Sequence, residues 1–474
     1  MHNKNTKIVC TLGPSSDSTS EIAALIRAGM NVARLNFSHG TYPHHAKMIK
    51  NLHKAEKETG RVIGILQDLQ GPKIRIGEMP EDGIKVKKSD TIILTSRNII
   101  GNQTNGKTEI PVQYKNITKD IKKGDVLLIN DGLIETYVLK VTKTDIFCKV
   151  KFGEIIKSHQ GINSPTASIS AATITEKDKR DLKFGLKHNV DFVALSFVKS
   201  QKDIENLRSL IQKQKKNTPI IAKIERHEAV KNLKAIIKSA DGVMVARGDL
   251  GSDMPPEQVP IIQKRIISLA NRYGKPVITA TQVLQSMVTE PRATRAEISD
   301  AANAVFDHTD SIMLSNESAV GKFPAKAALT LTKVASTVEK ELQKHEELLE
   351  QIAPPKLLSS LNATCTNACK IAADTGSSMI VVYTQDGYTA RQIAKNRLYI
   401  PIITITPSEK TRRELTLVWG INKVFIKKFS QKDHRIMEKI ISFLKKAKVA
   451  KKGNKIVIVI NASKKEGRIS TTKI

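Results

Sequence analysis

Three charged side chains stand at the ends of two short apolar runs in the middle of the chain. The run at residues 219–224 (PIIAKI) contains Lys223 and is followed by Glu225, and the run at 242–246 is followed closely by Asp249. Two carboxylates and a lysine at neighbouring strand ends suit a hard divalent ion on a phosphorylated substrate, because Mg²⁺ prefers few carboxylates together with substrate oxygens. An ordinary surface ion pair is the alternative, and the spacing alone does not decide between them.

The elements that must position these groups follow from the pattern between them. Both apolar runs have the length and composition of buried strands. Ala229, Leu233 and Ile236 lie between them at helical spacing, which predicts a strand, a helix and a second strand. Such a unit makes the two strands parallel, so that Glu225 and Asp249 emerge at the same end of a sheet.

The same alternation runs through much of the chain. It predicts three strands at 7–12, 31–37 and 62–69 and five more at 191–197, 219–224, 242–246, 276–281 and 311–315, with helices between them, such as 175–188, 201–214, 227–239, 256–273 and 294–306. Eight alternating strands predict an α/β fold, a (β/α)8 TIM barrel, whose active site lies at the strand C-termini. Polar residues do follow the predicted strands: Arg34, Asn36, Ser38, Asp68, Ser196, Thr281 and Glu317. A doubly wound sheet is the main rival, but its switch point would not use every strand.

Two further domains are predicted around this barrel. Between residues 72 and 168 the period changes to two, which indicates a small inserted β-barrel or sandwich acting as a lid. Acidic residues and a Pro-Pro pair at 346–358 indicate a linker, and strands and helices alternate again beyond it. We therefore expect a catalytic barrel of residues 1–71 and 169–345, a lid domain of 72–168 and a C-terminal α/β regulatory domain of 346–474, which suits the chain length.

The charge of the chain is strongly positive, with 77 Lys+Arg against 46 Asp+Glu among 474 residues. Such an excess favours polyanions, nucleic acid included. The lysines are, however, spread along the whole chain, and aromatic residues for base stacking make up only 4%. Phosphate-bearing substrates explain the charge as well, so we expect no nucleic-acid partner.

The cysteines and the termini indicate a reduced, cytoplasmic protein. Cys10, Cys148, Cys365 and Cys369 form no zinc or CxxC spacing. The first residues lack the apolar core of a signal peptide, and no run reaches the length of a membrane span. We therefore expect no membrane partner.

Several blocks of sequence, in order, resemble the pyruvate kinase family. They are KIVCTLGPSS at 7–16, MNVARLNFSHG at 30–40, DLQGPKIR at 68–75, PIIAKIERHEAV at 219–230, ARGDLG at 246–251, ATQVLQSM at 280–287 and MLSNESAVGKFP at 313–324. The resemblance spans all three predicted domains and is nearest to the bacterial subtype with lysine in DLQGPKIR. It implies phosphoryl transfer from phosphoenolpyruvate to ADP, giving pyruvate and ATP in glycolysis, with Mg²⁺ or Mn²⁺ and a homotetrameric assembly.

The resemblance also implies roles for individual residues. Glu225 and Asp249 match the family's metal ligands, and Lys223, Arg34, Thr281, Arg75 and Lys73 match or adjoin its catalytic positions. The implied substrate-binding residues are Arg34, Lys223, Ala246, Arg247, Gly248, Asp249, Thr281 and Ser315. The implied nucleotide-binding residues are Asn36, His39 and Arg75. Taken singly, each has a structural alternative: Arg34 as a barrel ion pair, Thr281 as a helix cap, Ser315 as core filling.

Lys73 is an informative departure from the family pattern. Many pyruvate kinases carry glutamate at this position and bind K⁺ in a pocket that corresponds here to Asn36, Ser38, Asp68 and the Leu69 carbonyl. An ammonium group at Lys73 would supply that positive charge and repel K⁺. We therefore expect Mg²⁺-dependent activity that does not require K⁺. A solvated hinge lysine is the alternative.

Other departures from the family pattern lie in the lid, after the eighth strand and in the predicted effector loop. Gln160 stands where many members have lysine, and Asn316 occupies a glycine position. The predicted effector loop carries Asp386 where serine would bind phosphate, which argues against a bisphosphate activator and leaves AMP or a sugar monophosphate. Its candidate residues are Thr384, Thr389 and Arg412, with plain domain packing as the alternative.

Two other functions remain open from the sequence. A Mg²⁺-dependent carbon-carbon lyase or aldolase on the same barrel would also use a Glu/Asp pair, but it needs neither a lid nor a C-terminal domain. A basic nucleic-acid-binding pseudo-enzyme would explain the charge, but not the retention of Arg34, Lys223 and Thr281.

Overall fold

The chain begins with the alternating strands and helices that the sequence predicts. The structure, a computed structural model, describes residues 4–104, 106–130, 132–344, 360–430, 433–461 and 467–474. Its first elements are β1 (Lys7–Thr11), α1 (Thr19–Ala28), β2 (Val32–Asn36), α2 (Tyr42–Thr59) and β3 (Gly64–Asp68). Helix α1 shows why such units form, since the Ser18 hydroxyl accepts the Glu21 amide at its start and Gly29, at φ 119°, ends it.

A β-rich region interrupts this alternation after β3. Its elements are β4 (Ile84–Lys85), β5 (Thr91–Thr95), β6 (Asn102–Thr104), β7 (Lys107–Pro111), α3 (Ile117–Asp120), β8 (Val126–Ile129), β9 (Ile134–Val141), β10 (Asp145–Phe152), β11 (Ile155–Ile156) and β12 (Ile162–Asn163). Seven of these strands form one sheet in the order β12-β8-β9-β10-β5-β7-β6, and β4 pairs with β11. The region has a hydrophobic core of its own, as the change of period in the sequence indicates.

The remaining barrel elements follow. They are α4 (Glu176–Lys187), β13 (Phe192–Leu195), α5 (Gln201–Lys213), β14 (Ile220–Ile224), α6 (His227–Lys231), α7 (Leu233–Ser239), β15 (Gly242–Ala246), α8 (Arg247–Gly251), α9 (Val259–Tyr273), β16 (Val277–Ala280), α10 (Arg295–Phe306), β17 (Ser311–Leu314), α11 (Asn316–Ala319) and α12 (Pro324–Lys344). Strands β1-β17-β16-β15-β14-β13-β3-β2 close into a parallel barrel. This confirms the predicted (β/α)8 architecture and excludes the doubly wound sheet.

Two helix predictions in the barrel are wrong in detail. The single helix expected at 227–239 is divided into α6 and α7 at Asn232, whose φ of −95° and ψ of 12° leave the helical region. The Asn232 side chain donates to the Lys199 carbonyl at 2.9 Å, which holds the junction of α6 and α7 against the loop before α5. The helix expected at 256–273 begins instead as a 3-10 turn, Pro256–Gln258, before α9.

A second α/β unit follows the barrel. It contains α13 (Ser360–Asp374), β18 (Met379–Tyr383), α14 (Tyr388–Ala394), β19 (Ile402–Thr406), α15 (Glu409–Glu414), β20 (Ile421–Ile426), α16 (Ile436–Lys446), β21 (Lys455–Asn461) and β22 (Gly467–Lys473). The strands form a sheet in the order β20-β19-β18-β21-β22, in which only β22 is antiparallel to its neighbour. Helix α15 is followed directly by a 3-10 turn, Leu415–Leu417. The linker expected at 346–358 lies outside the described residues.

Two arginines join this unit to the floor of the barrel. Arg397, only 1% exposed, lies 2.8 Å from Asp310, the residue before β17. Arg413 lies 3.0 Å from Asp191, the residue before β13. The side chain of Leu417 belongs to the same buried cluster as the interior of the barrel. The C-terminal unit therefore contacts the N-terminal ends of the strands, opposite the end where a TIM-barrel active site lies.

The four cysteines are free and buried, as the sequence predicts for a reduced protein. Among the described helices, none combines the length and the apolar character that a bilayer crossing requires.

Candidate active site

Lys223 and Glu225 form the centre of the candidate site, at the C-terminal end of β14. They are two residues apart and point to the same side, because side chains alternate along a strand. The Lys223 ammonium lies 2.8 Å from a Glu225 carboxylate oxygen and donates to the Ser196 hydroxyl at 2.8 Å. Both charged residues are buried. The ion pair is therefore largely shielded from water.

Asp68, at the end of β3, connects this pair to β2. The Arg34 Nε donates to one oxygen of Asp68 at 2.7 Å, and the Lys223 ammonium lies 3.3 Å from the other oxygen. The second contact is an ion pair without good hydrogen-bond geometry, since that oxygen has no hydrogen-bond partner among the described residues. Arg34 also donates to the Thr11 hydroxyl at 2.9 Å. Side chains from four barrel strands thus meet in one network.

The network keeps Lys223 and Asp68 in their charged forms. Burial alone would lower the pKa of Lys223, but the carboxylates of Asp68, Glu225 and Asp249 raise it above its ordinary value. Burial would raise the pKa of Asp68, but Lys223 and Arg34 bring it below its ordinary value. The arrangement therefore presents a permanent ammonium and guanidinium at the open end of the barrel, which suits phosphate oxygens.

Glu225 and Asp249 have the properties of a divalent-cation site. Burial raises the pKa of Glu225, and the negative charge of Asp249 adds to the rise although Lys223 opposes it. The second oxygen of Glu225 accepts the Phe197 amide at 2.7 Å, which fixes the carboxylate. The two carboxylates follow the neighbouring strands β14 and β15, and together they match the donor set that Mg²⁺ prefers.

The loops after β15 and β16 are tied together beside this pair. The Thr281 hydroxyl accepts the Gly248 amide at 2.8 Å and donates to the Ala280 carbonyl at 2.7 Å. The Arg247 guanidinium donates to the Thr281 carbonyl and pairs with Asp300 at 2.7 Å. The Thr281 hydroxyl therefore caps the first turn of α8 from the neighbouring loop, and Arg247 binds that loop through its side chain. The Gly248 amide, predicted to bind substrate, has Thr281 as its partner here.

Ser315 follows β17 and carries an unused hydroxyl. Its Oγ is buried and has no hydrogen-bond partner among the residues that the structure describes. The buried carboxylate of Glu317 accepts the Ser315 amide at 2.8 Å and the Leu284 amide at 3.0 Å. Glu317 thereby connects the loops after β16 and β17.

The predicted nucleotide-binding residues lie between β2 and the lid. The Arg75 guanidinium donates to the His159 carbonyl in the lid at 2.8 Å, and Arg75 pairs with Gly161 in a short β-bridge. Burial lowers the pKa of His39, and the positive charges of Arg75, Arg34 and Lys73 lower it further. His39 is therefore a neutral imidazole among cations near neutral pH. The Asn36 side-chain oxygen accepts the Ser38 amide at 3.1 Å.

Two members of the predicted monovalent-cation pocket, Leu69 and Asp68, already have partners within the protein. The Leu69 carbonyl accepts the Ser196 hydroxyl at 2.7 Å, and Asp68 is paired with Arg34. Lys73 lies against the lid, where a Cβ built on Gly161 would be 3.0 Å from its Cε. Among the described residues its ammonium forms no ion pair. The backbone carbonyl of the lid residue Gln160 accepts a hydrogen bond from the Ile76 amide at 2.9 Å.

The predicted effector residues lie in the C-terminal unit, at the opposite end of the barrel from this site. The Thr384 hydroxyl accepts the Gly387 amide at 3.1 Å, and Thr389 is fully buried. Arg412 pairs with Glu409 at 2.6 Å on the helix surface. Asp386 accepts the Tyr388 amide at 3.0 Å, so its carboxylate is used within the loop.

Two partners in the site were missed from the sequence. Thr11 ends β1 and binds Arg34, and the rule that selected Asp68 and Thr281, a polar residue after a buried strand, applies to it as well. The Phe197 amide that binds Glu225 leaves no signal in the sequence, since it is a backbone group.

Comparisons with known proteins give a single answer. The family described as the barrel domain of pyruvate kinase matches residues 3–328, and the family described as its alpha/beta domain matches residues 362–474. Pyruvate kinase 2 of Synechocystis sp. is 42% identical over 427 residues, 89% of this chain and 71% of that protein. A pyruvate kinase of Staphylococcus aureus is 39% identical over 473 residues, 99% of this chain and 80% of that one. A crystal structure of a pyruvate kinase from Cryptosporidium parvum superimposes with a TM-score of 0.89 at 34% identity, covering 98% of this chain and 96% of the other.

Proposed function

The chain belongs to the pyruvate kinase family of phosphotransferases, and on that premise we propose that it transfers the phosphoryl group of phosphoenolpyruvate to ADP in glycolysis. One observation carries the proposal: Arg34, Asp68, Lys223 and Glu225 form one buried network at the open end of the barrel. Cations and a carboxylate pair held together there suit a phosphorylated carboxylic acid. Family membership decides against the lyase alternative.

The residues of this network have separate roles in the proposed reaction. The bond between the enol oxygen of phosphoenolpyruvate and its phosphoryl group breaks, and the phosphoryl group bonds to a terminal oxygen of ADP. The other product is the enolate of pyruvate. Arg34 binds the phosphate oxygens through its guanidinium. Lys223 stabilises the negative charge on the phosphoryl group and then on the enolate oxygen. Arg75, Asn36 and His39 contact the nucleotide from the lid side of the barrel.

The proton that completes pyruvate must reach the enolate carbon. We assign this path to Thr281 and Ser315, whose hydroxyls follow β16 and β17. Thr281 already donates and accepts hydrogen bonds, and the Ser315 hydroxyl is free to bind a proton donor. The backbone from Ala246 to Asp249 receives the substrate carboxylate once the Gly248 amide is released from Thr281.

Two carboxylates hold the metal in this proposal. Glu225 and Asp249 bind Mg²⁺ or Mn²⁺, which supplies positive charge to the substrate oxygens when bound. Lys73 takes the place of K⁺ near Asn36, Ser38, Asp68 and Leu69, and the activity is independent of K⁺.

The remaining assignments extend the proposal to the whole protein. We assign residues 1–71 and 169–345 to the catalytic barrel, 72–168 to the lid and 346–474 to a regulatory domain. The enzyme works in the cytoplasm as a homotetramer, without nucleic-acid or membrane partners, and answers to AMP or a sugar monophosphate. Thr384, Thr389 and Arg412 are the effector residues that family resemblance suggests.

The test is pyruvate formation from phosphoenolpyruvate and ADP with Mg²⁺, measured side by side in sodium and potassium buffers. We expect equal rates in both. A rate that appears only in potassium would keep the reaction and remove the role of Lys73. No pyruvate in either buffer, with the protein folded, would remove the proposed function.

A further inference from the structure

The chain returns from the lid to the barrel through residues 167–171, which we call the return segment. The side chains of Ala167 and Ile169 belong to the hydrophobic core of the lid. The Ser170 amide donates to the Asp120 carboxylate, also in the lid, at 2.9 Å. Because the return segment is packed into the lid in this way, a barrel residue that binds its free carbonyl groups fixes the lid relative to the barrel.

Lys199, in the loop between β13 and α5, binds the return segment from the barrel side. Its ammonium donates to the Ile169 carbonyl at 2.5 Å and to the Ala171 carbonyl at 3.3 Å. Hydrogen bonds from a charged donor are stronger than those between neutral groups. The backbone of Lys199 is fixed as well, because its amide donates to the Asp203 carboxylate and its carbonyl accepts the Asn232 side chain, both at 2.9 Å. Lys199 therefore ties two positions of the return segment to a fixed point of the barrel.

The loop that carries Lys199 also fixes Glu225, the proposed metal ligand. The Phe197 amide, two residues before Lys199, donates to the Glu225 carboxylate at 2.7 Å. Phe197 has a φ of 55°, a left-handed conformation that bulky residues rarely adopt. Backbone strain of this kind persists where the surrounding structure enforces it and is concentrated at functional sites. One short loop therefore contacts the metal ligand through Phe197 and the return segment through Lys199.

The same loop contacts the place where the chain enters the lid, after β3. A Cβ built on Gly71, which has a φ of 70°, would lie 2.8 Å from the Cδ2 of Phe197 and 3.0 Å from the Cβ of Ser196. The Phe197 ring therefore packs directly against the backbone of Gly71. The Ser196 hydroxyl donates to the Leu69 carbonyl at 2.7 Å, two residues earlier. Residues 196–199 thus contact both connections between barrel and lid.

A second chain segment joins the metal ligand to the return segment. Arg226 directly follows Glu225, and its guanidinium donates to the Ala167 carbonyl over a long distance of 3.5 Å. The Glu228 carboxylate accepts the Ser168 hydroxyl at 2.9 Å and lies 3.2 Å from the Arg226 guanidinium. The return segment is therefore connected to Glu225 along two routes, one through the chain that follows it and one through the loop after β13.

We propose that Lys199 is a positioning residue that couples the lid to the metal site, so that a metal on Glu225 also steadies the return segment. The inference rests on the proposed function, in which Glu225 binds the metal and the nucleotide binds on the lid side of the barrel. A metal that fixes the Glu225 carboxylate fixes the Phe197 amide bound to it, and with it the loop that carries Lys199. Coupling between two sites is reciprocal, so a steady return segment also favours the metal-bound site.

Hydrogen exchange of the full chain tests this coupling without requiring turnover. Mass spectrometry follows the amides of the return segment with and without saturating Mn²⁺, and we expect Mn²⁺ to slow their exchange by at least about fivefold, the lower end of coupling between sites. Lys199→Met removes the ammonium and should abolish the slowing, whereas Lys199→Arg keeps a charged donor and should retain it. Lys202→Met, at an exposed lysine near the start of α5, is the matched control and should behave as the unmodified chain.

Initial rates at saturating Mg²⁺ separate positioning from a purely structural role. Lys199→Met should raise the KM for ADP by about tenfold, since a hydrogen bond from a charged group contributes about that much, and should leave the KM for phosphoenolpyruvate unchanged. Lys199→Arg should restore the KM for ADP. A loss of stability alone would lower the rate and change neither constant.

The outcomes distinguish this inference from the proposed function. Exchange in the unmodified chain that does not respond to Mn²⁺ would overturn the inference, and so would slowing that persists in Lys199→Met. A cooperative thermal transition shows that Lys199→Met is folded, and Lys199→Gln, which keeps an uncharged donor, takes its place if it is not. An unmodified chain that shows the Mn²⁺ effect but forms no pyruvate would remove the proposed function and leave the coupling.

Discussion

The hydroxyl of Thr281 accepts the backbone amide of Gly248 at 2.8 Å, so that the loops after β15 and β16 are joined by one side chain. Thr281 adopts a φ of 67°, a left-handed conformation that a β-branched residue rarely takes. Strain of this kind persists where the surrounding structure enforces it and is concentrated at functional sites. Thr281 is also the residue to which we assign proton delivery, which makes it the first to test.

Thr281→Val should abolish proton delivery, whereas Thr281→Ser should retain it. The valine has no hydroxyl, and losing a positioned proton donor costs about 10²–10⁴-fold in rate. The measurement is the exchange of the methyl protons of pyruvate with deuterated solvent in the presence of ATP and Mg²⁺, which reports the proton step without phosphoryl transfer. Exchange at the unmodified rate in Thr281→Val would contradict the assignment.

Glu225→Gln should weaken divalent-cation binding by at least about a hundredfold, because even outer-shell partners of a metal contribute 10–100-fold. Calorimetric titration with Mn²⁺ measures this without requiring activity. Glu176→Gln is the matched control, since Glu176 is exposed and pairs with Lys179 on the surface of α4. Because burial raises the pKa of Glu225, the unmodified protein should also lose Mn²⁺ affinity as the pH falls, beginning above the usual range of a glutamate.

Lys73→Glu should convert a potassium-independent enzyme into one that potassium activates. A glutamate at this position removes the built-in positive charge and adds a negative one, which attracts a monovalent cation. Initial rates in sodium and potassium buffers measure the change. Lys88→Glu, an exposed lysine of the lid, makes the same change of charge elsewhere and should respond equally to both ions. Equal rates for Lys73→Glu in both buffers would remove Lys73 from the cation pocket.

His308 should make the protein less stable in acid. Burial lowers its pKa to about 4, with the positive charge of Arg397 adding to the effect. Between about pH 6.5 and 4 the unfolded chain therefore binds a proton that the folded chain does not, so the free energy of unfolding falls as the pH falls, by up to about 1.4 kcal/mol per pH unit. His308→Asn keeps a residue that tolerates the φ of 64° found there.

The check on His308 is denaturant unfolding of both proteins across this pH range. The difference in unfolding free energy between them isolates His308 from groups with opposite behaviour, such as Asp191, whose pKa burial raises to about 6. An identical pH dependence in the two proteins would show that His308 is not the group responsible.

Arg397→Met should destabilise the protein by about 3–5 kcal/mol, because it leaves Asp310 buried without its cation. Arg397 also donates to Asn271 and to the His308 carbonyl and lies 5.1 Å from the Trp419 ring. Thermal unfolding followed by tryptophan fluorescence reports on this contact, since Trp419 is the single tryptophan of the chain. The control is Arg412, whose ion pair lies at the surface. Arg412→Met should change the free energy of unfolding by less than about 1 kcal/mol.

The elements that sequence reasoning located best are those with local signals. The barrel strands were predicted because each is an apolar run followed by polar residues, and Lys223, Glu225 and Asp249 were selected by their place at strand ends. Short strands such as β6 and β11 were missed, because two or three residues show no measurable period. The pairing of Arg397 with Asp310 joins residues 87 positions apart, and no local sequence pattern at either residue predicts it.

The same limit applies to the details of the site. The sequence indicated that Gly248 and Thr281 belong to one site, but it did not indicate that they bind each other. The effector residues were chosen from a loop pattern, which did not indicate that Arg412 pairs with Glu409. Partners of this kind are set by tertiary packing and become visible only in three dimensions.

The contact between Leu417 and the interior of the barrel bears on how this protein is divided into modules. A barrel produced without the C-terminal unit would have an open hole at its floor, and it would retain Asp191 and Asp310 without the arginines that neutralise them. The C-terminal unit therefore completes the folding unit of the barrel. A barrel that lost this unit would have to replace the plug and both acidic residues at the same time, so simple truncation would leave the barrel without a closed floor.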